Sequence, residues 1–289
     1  MDENDAAREF HAIRRRLVAV AYGLLGSVDE AEDAVQESWL RLRRVDLTQI
    51  EDVTGWLIVT VSRIARDMMR SARRRREEYV GPWLPEPVVT GGDPAERVGL
   101  DESLSMALLV VLESLSPAER TVFVLHDVFG VPFAEVARAV GRTTAACRQL
   151  AARARRHVEA RAPRFEVSEA ERRRVTEAFA AACTGGDIAG LLPLLDPDVV
   201  LHSDGGGLVT AARRPVAGAE RVARYLTGVA RRGPAPLRLT PATVNGEPGL
   251  LWMRGDELGG VVALTLTGGR ISRVDIVRNP RKLTHVASA

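Results

Sequence analysis

Cysteine and lysine are both scarce in this chain. Of 289 residues only Cys147 and Cys183 are cysteine, both in apolar helical contexts. Neither a disulfide framework nor a zinc-ligand spacing can be written from them, which fits a reducing compartment. Lys282 is the only lysine. The positive charge is otherwise arginine, whose planar fork suits bidentate phosphate contacts and whose dominance also matches a GC-rich genome. No apolar run approaches the ~20 residues of a membrane-spanning helix, and the acidic-then-basic start lacks the pattern of a secretory signal. These absences predict a soluble cytoplasmic protein with no membrane association, no metal and no cofactor. The formal net charge of +2 hides strong local segregation, and the length admits two or three domains, each with its own core.

What is present is, first, helix. From about residue 7 to 76 apolar residues recur at helical spacing. Phe10, Ile13, Leu17, Val20, Ala21, Leu24 and Leu25 lead to Gly26, and Ser27 or Asp29 caps a second helix, AEDAVQESWLRLRR. There Ala31, Ala34, Val35, Ser38, Trp39 and Leu42 share one side. A polar connection, 46–54, enters GWLIVTVSRIARDMMRSARRRRE, apolar at first and very basic at its end. YVGPWLPEPVVTGGDP (79–94), with four prolines and three glycines, excludes a regular helix and reads as an extended linker. A second helical block runs over about 95–161.

Within that block, 131–158 reads as two short helices broken at Gly141. Phe133, Val136, Ala137 and Val140 form the apolar stripe of the first. Gly141 permits the turn, and Thr143 or Thr144 caps the second helix. Ala146, Cys147, Leu150 and Ala154 face inward there, leaving Arg142, Arg148, Gln149, Arg153, Arg155 and Arg156 outside. A helix-turn-helix would set those residues in the DNA major groove. An αα-hairpin with a solvated basic face carries the same pattern, so the motif alone leaves both open.

The last third changes character. Helices over about 168–183 and 187–194 precede VVLHSD, read as a strand, and GLVTAARRPV, read as a strand and turn. The amphipathic GAERVARYLTGVARR follows, then four β-type runs with hairpin signals at NGEPG and TGGR. The expected domain is α+β, a curved antiparallel sheet wrapped on helices.

DAVQESWLRLRR followed by GWLIVTVSRIARDMMRSARRRR resembles σ2, the conserved helical domain of bacterial extracytoplasmic-function (ECF) sigma factors. The helix-turn-helix resembles σ4, in the right chain order. YVGPWLPEP is similar to the linker of members that carry a SnoaL-like C-terminal domain. DGGG at 204–207, AARRPV at 211–216, NGEP at 245–248 and NPRKL at 279–283 extend the likeness over nearly the whole chain, nearest the sigma-J-like branch. The resemblance implies two all-α sigma domains, a σ2 bundle and a σ4 helix-turn-helix, plus an α+β NTF2/SnoaL-like cone. Its divisions are 1–78 (σ2), 79–94 (linker), 95–162 (σ4) and 163–289 (SnoaL-like regulatory domain).

The resemblance also implies roles. Asp33, Gln36, Glu37, Trp39 and Leu40 would meet core RNA polymerase at the β′ clamp coiled coil, with the β flap as a further contact. Arg63, Arg66, Arg70, Arg73 and Arg74 would serve the melting −10 element, and 46–54 a flipped base. Arg142, Thr143, Thr144, Arg148, Gln149, Arg153, Arg155 and Arg156 would serve the −35 element. Trp83, Leu84, Pro85, Glu86 and Pro87 of the linker, Asp204, Gly205, Gly206 and Gly207, and Asn279, Pro280 and Leu283 of the tail would form a regulatory interface. The fused domain would take the place of an obligatory anti-sigma protein. Two positions depart from the family pattern: Arg63 stands where asparagine is frequent, and Arg281 where an acidic residue is usual, which puts the tail contact in question.

His202, Asp204 and Asp275 can be read as an acid–base set. However, Asp204 runs into a glycine turn, Asp275 alternates with Val274 and Ile276 as an outward residue would, and no nucleophile or electrophilic clamp accompanies them. The expectation is a sigma factor without catalytic residues. The rivals are a SnoaL-like cyclase or isomerase tethered to a DNA-binding module, and a ligand-responsive activator that binds duplex DNA by its helix-turn-helix alone.

Overall fold

Short polar residues start the helices. Ser27, Thr143, Ser168 and Asp187 each accept a hydrogen bond from a backbone amide of the helix they precede. Ser116 forms a full capping box with Glu119. Of the two caps proposed for the second helix, Ser27 is the one used. The structure, a computed structural model, describes residues 3–90, 104–160, 167–232 and 235–286, without the side chains of 3, 72–75 and 77. The chain forms two units, Met1–Glu77 with Val98–Leu104 and Leu108–Ala162, and Glu78–Arg97 with Ser105–Ala107 and Pro163–Ala289.

In the first unit α1 (Glu3–Leu25) packs on α2 (Val28–Leu42) and α3 (Val53–Glu77). Its C-terminal half is enclosed on every side. Val18, Ala19 and Tyr22, outside the apolar stripe, are as buried as Leu17 and Leu24. The reason is a second layer, α4 (Met106–Leu112), α5 (Pro117–Val122) and a π turn at Phe123–Val128. Gly23 permits this approach, since a Cβ there would meet Val124 and Leu104 at 3.0 and 3.1 Å. The helix-turn-helix follows as α6 (Phe133–Val140) and α7 (Thr144–Glu159).

A half-buried charge cluster ties these layers. Glu113, just past α4, accepts from Arg76 of α3 and from Arg120 of α5. Arg76 also donates to the Leu25 carbonyl at 2.6 Å and Arg120 to that of Gly23 at 3.0 Å. The two guanidiniums thus satisfy carbonyls that the end of α1 leaves without helical partners. Removing the shared carboxylate would leave two cations in a largely dry site. Glu113→Ala is expected to lower the unfolding free energy by about 2–3 kcal/mol, somewhat under the cost for a fully buried pair. Urea titration followed by helical ellipticity measures it, and a loss near zero would show that solvent screens the cluster.

The second unit is built on a seven-stranded sheet in the order β1-β4-β5-β6-β7-β2-β3. The strands are β1 (Val89–Thr90), β2 (Leu195–Asp204), β3 (Val216–Ala217), β4 (Leu237–Val244), β5 (Glu247–Arg254), β6 (Glu257–Thr267) and β7 (Arg270–Val277). Hairpins join β4 to β7; at the first, Asn245 and Gly246 take φ of 50° and 75°, as a primed turn requires. The expected antiparallel sheet is in fact mixed, because β2 runs parallel to β7. After β2 the chain passes through β3 and α10 (Ala219–Ala230) before it enters the meander at β4, and that crossover allows a parallel neighbour. GLVTAARRPV is not the strand expected. Gly206 and Gly207 sit at positive φ, and the amides of Leu208 and Val209 both reach the Gly205 carbonyl. The segment therefore turns, and only Val216–Ala217 pairs.

Alternate residues of β2, β5, β6 and β7, among them Leu201, Trp252, Leu264 and Val274, face α8 (Glu169–Gly185) and α10. They pack with Phe179, Val222 and Leu226. The alternation puts His202, Asp204, Arg273 and Asp275 on the opposite face of the sheet. Between α8 and β2 the chain forms α9 (Ile188–Leu191) and a short 3₁₀ turn.

Candidate functional sites

The helix-turn-helix is shaped by its caps. Gly141 adopts φ 71° at the end of α6, and its amide and that of Arg142 both bond the Ala137 carbonyl. Thr143 spends its hydroxyl on the Ala146 amide at 3.2 Å, so it acts as a cap, and Thr144 is half-buried. Cys147, Leu150, Ala151 and Ala154 form the buried side of α7. Ala151 therefore joins the inner face, while Ala146 is only half-buried. Ala145, Arg148, Gln149 and Ala152 share an exposed face at helical spacing, and Arg142, Arg153, Arg155 and Arg156 are exposed beside it. Arg153 bonds Glu119 at 3.2 Å and Arg155 pairs with Asp127.

Two of the arginines expected at the −10 element are occupied within the first unit. Arg63 donates to the Arg138 carbonyl at 2.7 and 3.2 Å. Arg66 reaches those of Ala139 and Val140 at 3.0 and 2.7 Å. Both cap the carbonyl end of α6, where the helix dipole also favours a cation. Arg70 is exposed, and the side chains of Arg73 and Arg74 lie outside the described ones. Asp46, in the loop before α3, caps a short 3₁₀ turn at Leu47–Gln49.

On α2, Asp33, Gln36, Glu37 and Leu40 fall on one face. Leu40 is 38% exposed, Asp33 and Gln36 are exposed, and Glu37 bonds Arg41 at 2.8 Å. Trp39 is not inward with Ala34 and Val35. It is half-buried and stacked on Phe10, ring centres 4.8 Å apart.

The linker, the glycine turn and the tail meet in the second unit. Asp204, wholly buried, accepts from the Tyr79 hydroxyl (2.6 Å), the Leu84 amide (2.9 Å), the Gly206 amide (3.0 Å) and Lys282 Nζ (2.8 Å). Lys282 also donates to the Leu84 carbonyl and lies 4.1 Å from the centre of the Trp83 ring. Asn279 donates to the Tyr79 oxygen at 2.7 Å and its side chain accepts from the Arg281 amide. Burial and the bond to Asp204 push the Tyr79 phenol well above its ordinary range. Pro85, Glu86 and Pro87 are buried, as is Leu283, while Pro280 is exposed. Beyond them Val88 and Asn245 exchange two bonds, Val88 N to Asn245 Oδ1 and Asn245 N to Val88 O, and β1 then pairs with β4. The linker thus folds as part of the sheet unit. Lys282, not residue 281, carries the tail contact, and Arg281 stays exposed.

His202 and Asp275 are neighbours on the parallel strands β2 and β7. His202 Nδ1 stands 3.5 Å from Asp275 Oδ1, too far for a good hydrogen bond. Asp275 does not point outward as its alternation suggested; it is 1% exposed and accepts from Arg273 at 2.6 Å.

Residues 10–75 match the Sigma-70 region 2 family and residues 105–158 the Sigma-70 region 4 family. The chain is 42% identical over 289 residues to the ECF RNA polymerase sigma factor SigJ of Mycobacterium tuberculosis, covering 96% of this chain and 92% of that one. The chain belongs to the ECF sigma factors. It is also 39% identical over 295 residues to a probable ECF sigma factor SigI of the same species, across 98% and 97% of the two chains. A crystal structure of the Mycobacterium tuberculosis SigJ protein matches with a TM-score of 0.78 at 39% identity, over 96% of this chain and 98% of that one. As an ECF sigma factor the chain works with core RNA polymerase on promoter DNA to direct transcription initiation.

Within this sigma factor, the acid–base set is divided. Asp204 is committed to the linker, and His202 with Asp275 lies on the sheet face away from α8 and α10. Among the described residues no cluster of His, Cys, Asp and Glu could hold a metal, and no helix is long and apolar enough to cross a membrane. Sequence reasoning missed Tyr79 and Lys282, although a single lysine among so many arginines was a usable signal. Burial, and next Arg273, lower the His202 pKa, while Asp275 opposes them. The folded-state value therefore lies below the ordinary ~6.5. The stability that neutral His202 permits is present above that value and lost as pH falls through the folded one. His202→Gln is expected to flatten the decline in urea midpoint between pH 7 and 5, and an unchanged slope would place the acid sensitivity elsewhere.

Proposed function

We propose that this ECF sigma factor is held closed in its first unit by the same arginines that serve the −10 element. The observation that supports this is the set of bonds from Arg63 and Arg66 to the end carbonyls of α6. Guanidinium donors spent on those carbonyls cannot also bind DNA phosphates, so full engagement of both arginines by promoter DNA is expected to part α3 from α6. In this reading Arg148 and Gln149 read the −35 major groove, with Arg153, Arg155 and Arg156 nearer the backbone. Arg63, Arg66, Arg70, Arg73 and Arg74 serve the −10 strand together with 46–54. Asp33, Gln36, Glu37 and Leu40, flanked by Trp39, bind the β′ clamp coiled coil, and σ4 meets the β flap.

The division is 1–78, 79–94, 95–162 and 163–289, with the linker folding on the last part. The Asp204–Lys282 latch supports a regulatory role for the SnoaL-like part, which would then take the place of an obligatory anti-sigma protein. The protein acts in the cytoplasm, without catalysis and without membrane association. The rival of a tethered cyclase or isomerase is disfavoured by the placement of His202 and Asp275 outside the helix-covered face.

Run-off transcription with purified core polymerase tests the reading. Asp33→Arg with Glu37→Arg is expected to reduce core co-purification and transcription by about tenfold or more, since like charges across an interface cost several kcal/mol. A form ending at Arg278 is expected to change transcript yield without changing promoter choice. Equal core binding by the charge-reversed form would remove α2 as the polymerase surface. Equal yield from the shortened form would reduce the tail to a passenger.

A further inference from the structure

Arg148 lies in the first two turns of α7, the part of a recognition helix that meets base edges. Its guanidinium carbon is 5.5 Å from the centre of the Phe133 ring. Phe133 is the first residue of α6, half-buried, and it stacks on the His126 imidazole with ring centres 3.8 Å apart and planes inclined by 31°. His126 is fixed in turn, with Nδ1 3.0 Å from the Val131 carbonyl. The carbonyl can only accept, so Nδ1 carries the hydrogen. His126 belongs to the π turn, where the Phe129 amide bonds the Val124 carbonyl five residues back. Such an extra residue in a helical turn re-aims the side chains around it.

Three arginines of α7, Arg148, Arg153 and Arg155, are thus held by two different chemistries. Arg153 and Arg155 are held by carboxylates, Glu119 and Asp127. A carboxylate occupies N–H donors and neutralises the charge. An aromatic face attracts the cation through its quadrupole and occupies no donor. The guanidinium of Arg148 keeps its fork available for the paired acceptors of guanine, and the ring reduces the side-chain freedom that would be lost on binding.

We propose that Phe133 is a positioning residue for promoter reading: braced by His126, it presents the Arg148 guanidinium to one base pair of the −35 element. This rests on the reading of α7 as the −35 reader. Exposed cation–π contacts of this kind change an equilibrium by about two- to fivefold.

The test uses the full-length protein with core polymerase on a promoter library randomised over the −35 element, read by sequencing the run-off transcripts. Arg148→Ala identifies the base pair that depends on Arg148. Phe133→Leu is expected to weaken preference at that same base pair by about two- to fivefold, leaving the other positions and the salt dependence of binding unchanged. Phe133→Tyr, which retains the ring, is expected to restore the preference. His126→Leu is expected to act in the same direction as Phe133→Leu. If Arg148→Ala weakens one position and Phe133→Leu does not, the proposal is overturned while the reading of α7 stands. An equal loss at all positions, unrescued by tyrosine and accompanied by a lower melting temperature, shows a merely structural ring and also overturns it. If Arg148→Ala itself leaves selection untouched, the reading of α7 fails first.

Discussion

Every α-helix ends in carbonyls that its own amides cannot satisfy, and in this protein guanidinium groups satisfy many of them. Arg76 and Arg120 reach the end of α1, Arg63 and Arg66 the end of α6, and Arg254 the Val229 carbonyl at the end of α10. A guanidinium suits the task, since its five donors form a planar fork that can serve two carbonyls at once. The consequence reaches function. In the first unit the layer that carries the helix-turn-helix packs on α1 and α3 through buried apolar residues and is also tied to them by arginine–carbonyl bonds. Such bonds exchange readily for bonds to phosphate oxygens, which are better acceptors because they are charged. In the function proposed above, the chemistry that closes the unit is also the chemistry that nucleic acid competes for.

In the second unit a buried ion pair ties the linker and the tail to the end of β2. Asp204 is wholly enclosed, and a bare carboxylate there would cost several kcal/mol. Four donors compensate it, three of them from the linker and the tail. Lys282, the only lysine of the chain, is the compact cation at this place. Its position under Trp83 and against the Leu84 carbonyl joins the linker to the tail, beside the bond from Asn279 to the Tyr79 oxygen. The glycines after Asp204 are needed for the same reason. A Cβ at Gly206 would stand 2.4 Å from the Asn279 side chain, and one at Gly207 3.1 Å from Val80.

Local patterns were legible in the sequence wherever short-range physics decides them. The helix periodicity of α1, the caps at Ser27 and Thr143, the turn at Gly141 and the hairpin at Asn245 all follow from residue types a few positions apart. The linker motif could be expected to dock because Trp83 and Leu84 are an apolar pair. Long-range pairings were not legible. Nothing in the alternation of β7 distinguishes an outward Asp275 from one buried by Arg273. The parallel placement of β2 beside β7 depends on a crossover through α10. Trp39 followed the apolar stripe of α2, yet Phe10 takes it to the flank. Most of all, a run of arginines gives no sign of which members will find a carbonyl far along the chain, so Arg63 and Arg66 read as solvated or DNA-bound residues.

In the proposed function, bonds from α3 to the end of α6 hold the promoter-binding helices together in the free protein and give way when promoter is engaged. Asp67 on α3 and Ala134 on α6 are both exposed, and both native cysteines are buried. A dye pair placed at Asp67→Cys and Ala134→Cys therefore reports this distance directly by energy transfer. High transfer is expected in the free protein. It is expected to fall when core polymerase and promoter DNA are added, and to fall without them in the Arg63→Ala, Arg66→Ala background. Transfer that stays the same in the free protein and in the transcription complex would show that α3 and α6 do not part on promoter DNA.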